Sequence, residues 1–82
     1  MTIDNEIHPL IVIHNIAHLT TKDVERYCLK YDRDVSCFRR KNRHNHQYIH
    51  ALFSSITTAN HFLNNRPHFI KTYRVKYDFC VF

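Results

Sequence analysis

The sequence predicts an α+β fold of order β-α-β-β-α-β, with two helices on one face of a four-stranded antiparallel sheet. Three observations predict it. A β-branched apolar run, Leu10-Ile11-Val12-Ile13-His14-Asn15-Ile16, begins just after Pro9 and has the length of a buried strand. Two segments, opening near Thr20 and near Ser54, repeat apolar residues at helical spacing. From Phe69 to Phe79 apolar and polar side chains alternate with the period of two that a half-buried strand requires. Four such strands and two helices make a two-layer, ferredoxin-like sandwich whose second sheet face is left uncovered.

The first helix opens at Thr20-Thr21-Lys22-Asp23, with Thr20 as N-cap and Asp23 in the position that closes a capping box. Its apolar stripe is Val24, Tyr27, Cys28 and Tyr31, and Asp32-Arg33-Asp34 ends it without the usual glycine. Val35 to Arg40 and Gln47 to Phe53 read as the second and third strands. The polar segment Lys41-Asn42-Arg43-His44-Asn45-His46 joins them into a hairpin whose left-handed turn residue must be an asparagine, because the chain contains no glycine. Ser54 or Ser55 caps the second helix, which carries Ile56, Ala59, Phe62 and Leu63 on one side, and Asn64-Asn65-Arg66-Pro67 stops it.

Glycine is absent from 82 residues. Phosphate-cradling loops need glycine for close backbone approach, so nucleotide-fold enzymes are excluded. No paired carboxylates and no Cys–His nucleophile emerge either, and the chain is read as a non-enzyme without cofactor. Three cysteines without CxxC spacing form neither a disulfide framework nor a zinc finger, and they fit a reducing, intracellular compartment: cytoplasm, perinuclear granule or nucleus. His44, His46 and His50 are no metal site, because strand rise separates His46 from His50 by about 13 Å. No signal segment opens the chain, and no apolar stretch reaches the roughly 18 residues a membrane span needs. The domain is expected over residues 8–79, with residues 1–7 as an N-terminal extension. The apolar stop Asp78-Phe79-Cys80-Val81-Phe82 is that expected of a domain cut from a longer protein.

Charge is unevenly divided. Residues 1–34 carry four basic and six acidic side chains, whereas residues 35–82 carry eight basic ones and only Asp78. The second half is therefore the candidate surface for a polyanion or an acidic partner.

This order of elements, with the segment Ile11-Val12-Ile13-His14-Asn15-Ile16, resembles the RNA recognition motif over about residues 8–79. The first-strand signature matches except at Val12, where the family carries an aromatic residue. The third-strand signature falls on His46-Gln47-Tyr48-Ile49-His50-Ala51-Leu52-Phe53, with Gln47 in place of glycine. Of the three family positions that stack on bases or sugars, Tyr48 is intact, His50 is an imidazole and Val12 is aliphatic. Stacking is worth about 1–3 kcal/mol per base, so this platform is a degenerate one. Within the family the chain also looks like a module of complexes that handle piRNA precursors. That likeness implies pairing with a second RNA-recognition-like domain, as homo- or hetero-oligomer, and a role in small-RNA production.

Strand alternation directs Val12, His14, Tyr48, His50 and Leu52 away from the helices, joined by Thr72, Arg74 and Lys76. The expected protein interface is the apolar region of this face, Val12, Tyr48 and Leu52, or the helix residues Arg26, Leu29 and Lys30. The alternative is single-stranded RNA bound by Tyr48, His50, Arg74 and Lys76 together with the basic hairpin residues Arg39, Arg40, Lys41 and Arg43.

Overall fold

The computed structural model describes residues 9–81; the N-terminal extension, residue 8 and Phe82 lie outside them. The elements are β1 (Pro9–His14), α1 (Thr21–Leu29), β2 (Ser36–Lys41), β3 (Gln47–Leu52), α2 (Ile56–Asn64), β4 (Phe69–Ile70), β5 (Tyr73–Arg74) and β6 (Lys76–Val81). Four strands form an antiparallel sheet in the order β2-β3-β1-β6, and β4 pairs with β5 in a separate small hairpin. The fold is the α+β two-layer sandwich that the sequence predicts, with one correction. The single last strand expected from Phe69 to Phe79 is three short strands.

The break falls at Lys71, whose φ of 60° turns β4 back into β5, and the N–H of Val75 closes the hairpin on the carbonyl of His68 at 3.0 Å. Two further left-handed residues, Asn15 (φ 65°) and Asn45 (φ 66°), terminate β1 and turn the β2–β3 hairpin. Asparagine tolerates this region best after glycine, so the expected use of asparagine in the hairpin is what the chain adopts. Asn42 completes that turn by accepting the N–H groups of His44 (2.8 Å) and His46 (3.0 Å) through its side-chain oxygen.

Both helices begin on the caps read from the sequence. Thr20 accepts from the Asp23 N–H at 3.1 Å while Asp23 accepts from the Thr20 N–H at 2.9 Å, a complete capping box. The bond from the Thr20 backbone, helped by Lys71 at 3.2 Å, holds the Asp23 carboxyl below its ordinary range. Of the two serines, Ser55 is the cap of α2, taking the Thr58 N–H at 3.2 Å.

Alternation decides the layers. Ile11, Ile13, Ile49 and Ala51 are fully buried on one sheet face against Val24 and Cys28 of α1 and Ala59 and Phe62 of α2. Ile16 and Leu19, in the β1–α1 connection, and Ile70 and Val75 seal the ends of this core. The Cys28 thiol is pushed up by its contact with Cys37 and by burial; both cysteines are free and pack as small apolar groups.

Asp32 is more than the helix stop it resembles in the sequence. Its carboxylate, 6% exposed, accepts from the Ser54 N–H (2.6 Å), the Ser54 hydroxyl (2.8 Å), the Thr58 hydroxyl (2.9 Å) and the Asp34 N–H (2.9 Å). Burial opposes its ionisation, but these donors outweigh burial and hold the pKa below 3.8. One carboxylate thus ties the end of α1 to the start of α2.

Candidate sheet-face interface

The face of the sheet opposite the helices is assembled by register. In one row across the four strands Phe38 lies opposite His50, His50 opposite Val12, and Val12 opposite Asp78. In the next row Arg40 lies opposite Tyr48, and His14 lies opposite Lys76. The Tyr48 ring stands 5.0 Å from His50 and 6.2 Å from His14, so the two rows meet through aromatic contacts. Leu52 extends the apolar surface along β3 in the other direction.

Charge sits at the two edges. On the β2 edge the Arg40 guanidinium lies 6.0 Å over the Phe38 ring, and on the β6 edge His14 Nε2 meets the Asp78 carboxylate at 2.8 Å beside Lys76. The centre holds Val12, Tyr48, His50 and Leu52, all half-buried. His50 is kept neutral near pH 7, because burial and then the Arg40 charge push its pKa below 6.5. An apolar and aromatic centre with a charged rim is the anatomy of a protein interface core.

The residues expected on this face therefore divide. Val12, Tyr48, His50, Leu52, Arg40 and Lys76 come together. Arg39 does not: it points to the helix side, where its guanidinium donates to the carbonyls of Leu19 (2.7 Å) and Ile16 (3.3 Å), pinning the β1–α1 connection. Lys41 ends β2 on that same side by alternation, and Arg43 is exposed in the hairpin turn. Arg74 and Thr72 belong to the β4–β5 hairpin rather than to the four-stranded sheet, a correction that follows from the turn at Lys71. Arg26, Leu29 and Lys30 lie on the outer side of α1, on the opposite layer; Leu29 is 44% exposed and Lys30 sits 5.4 Å over Tyr27.

Phe38 is the residue that sequence reasoning missed, and at 47% exposure it is the most accessible ring on the face. The signal was present, since Cys37 packs inward and its strand neighbour must then point outward. Among the described residues no three His, Cys, Asp or Glu side chains stand close enough to hold a metal ion. No helix among them is long and apolar enough to cross a membrane.

Set against known families and curated proteins, the chain matches no family model and no individual relative.

Proposed function

We propose that this chain is a degenerate module of the RNA-recognition-motif kind, working mainly in protein–protein assembly of a larger RNA-processing ribonucleoprotein. The observation that carries the reading is the open sheet face, with Val12, Tyr48 and Leu52 at its centre, exposed Phe38 beside them on the β2 edge strand, and charge confined to the edges. An exposed apolar surface of this kind calls for a partner. The chain carries a net charge of +5, which opposes pairing with itself at low salt, so the partner is a different protein that presents an apolar patch with an acidic rim. A second RNA-recognition-like domain of that character fits, and the resemblance to modules of piRNA-precursor complexes supports small-RNA biogenesis as the setting.

The test is a single exposed substitution. Phe38→Glu on the edge strand leaves the core untouched and is expected to weaken binding of the co-purifying partner about thirtyfold or more, the scale of a lost aromatic anchor. Calorimetric titration of the wild-type and variant chains with that partner measures it. Equal affinities would remove the sheet face from the interaction and leave the α1 surface of Arg26, Leu29 and Lys30 in its place.

A second reading has its own observation in support. Phe38, Tyr48 and neutral His50 are three rings on one face, two of them 5.0 Å apart, with Arg40 at the margin. Rings beside a basic edge suit single-stranded RNA, whose bases stack without demanding sequence.

A further inference from the structure

A second charged feature lies away from the centre of the sheet. Between the β4–β5 hairpin and the start of β6 is a cleft of about 430 Å³ lined by Asn15, Arg66, His68, Arg74, Lys76 and Tyr77. Three permanent cations and an imidazole share this wall, and no carboxylate is among the lining residues. The carboxylate nearest in sequence, Asp78, is engaged by His14 at 2.8 Å. Like charges gathered in a concavity repel one another, and the repulsion is relieved when an anion enters.

The two guanidinium groups are also braced. Arg66 donates to the Leu63 carbonyl at 2.6 Å and lies 5.7 Å over the Tyr77 ring, while Tyr77 is held by donating to the Pro67 carbonyl at 2.7 Å. Arg74, which also lines the cleft, lies 5.9 Å over the Phe69 ring. A guanidinium has five N–H donors, and Arg66 spends one of them on Leu63, so most of the donors in the cleft remain for a ligand. Bracing lowers the ordering cost of binding, and the fork of donors matches the oxygens of a phosphate.

We propose that this cleft binds a phosphomonoester, the terminal phosphate of a single-stranded RNA. A terminal phosphate carries close to two negative charges near neutral pH where an internal diester carries one, and it is the better match for three cations around one cleft. The cleft and the rings share one edge of the sheet: Lys76, which lines the cleft, lies opposite His14 in the strand register, and the His14 ring is 6.2 Å from Tyr48. The inference rests on the RNA reading of the sheet face and adds an end preference that stacking alone does not give.

The experiment is fluorescence anisotropy of the full chain at low salt with three versions of one short oligouridylate: 5′-phosphorylated, 3′-phosphorylated and with hydroxyl at both ends. One phosphorylated form is expected to bind about tenfold more tightly than the hydroxyl form. The double variant Arg74→Gln with Lys76→Gln abolishes that preference, whereas Tyr48→Ala weakens all three oligonucleotides and leaves the ratio standing. Equal binding of all three by the wild-type chain overturns the terminal-phosphate site and spares the RNA reading; no binding of any overturns both. A phosphoserine peptide that binds as tightly as the phosphorylated RNA overturns the assignment to nucleic acid.

Discussion

Phe62→Ala is expected to lower the stability of this domain by about 3–5 kcal/mol, the cost of emptying a large aromatic site in a close-packed core. Phe62 is fully buried and lies at the junction of both layers. Its ring is 5.5 Å from Phe53, 5.6 Å from Tyr77 in an edge-on contact, and 6.0 Å edge-on from Tyr31. Those partners come from the end of β3, from β6 and from the segment after α1, so a single deletion loosens three connections of α2 at once. Small domains hold only about 5–15 kcal/mol in total, and one of 82 residues sits toward the lower end, so the loss removes a large share of the whole. Urea denaturation followed by circular dichroism reads it. Phe62→Leu, which keeps most of the volume, is expected to cost about a third as much. A Phe62→Ala chain within about 1 kcal/mol of wild type would mean that the helix layer is not held as described.

Asp32→Ala is the second large effect, expected at about 2–3 kcal/mol, because it strands the donors of Ser54, Thr58 and Asp34 that now converge on one carboxylate. The pH dependence has a definite sign. The folded pKa of Asp32 is depressed below 3.8 by those hydrogen bonds, which overcome burial. Its contribution is therefore fully present above pH 3.8 and is lost as the pH falls through the lower, folded value. Wild-type urea midpoints measured from neutral pH downward should fall in that acid range, and Asp32→Asn should flatten the acid limb of the profile. A variant with the same acid slope as wild type would show that Asp32 does not carry the link between the helices.

Much of this fold is legible in the sequence, for identifiable reasons. Local signals act over three or four residues, and the Thr20–Asp23 box, the Ser55 cap, the left-handed Asn45 and the alternation in β1 and β3 are all of that kind. Asp32 was legible only as a stop, because its donors on Ser54 and Thr58 lie 22 and 26 residues further along the chain. Arg39 looked like one more charge in a basic run for the same reason: the carbonyls that hold it, those of Ile16 and Leu19, come from a different connection. The divided last strand is hidden because Lys71 carries no turn signal in its side chain, and because Tyr73, Val75 and Tyr77 keep the period of two through Val75, where β5 gives way to β6.

The candidate site was half legible. Val12, Tyr48, His50 and Leu52 follow from alternation within β1 and β3, and the structure gathers them on one face. Phe38 follows from the same rule applied to β2, but it stands directly before Arg39-Arg40-Lys41, a basic run with no apolar alternation of its own. One unbroken last strand would place Arg74 on that face; the turn at Lys71 moves it to the hairpin and to the basic cleft.

The central claim is that the open sheet face, and Phe38 above all, meets another protein. The most direct measurement replaces Phe38 with a photo-crosslinking phenylalanine analogue in the protein in its own cells, irradiates, and identifies by mass spectrometry what is joined to that position. The account predicts one dominant protein adduct that is absent when the analogue stands instead at exposed Leu29 on the opposite layer. Adducts to RNA alone at position 38, or the same protein captured equally from both positions, would contradict it.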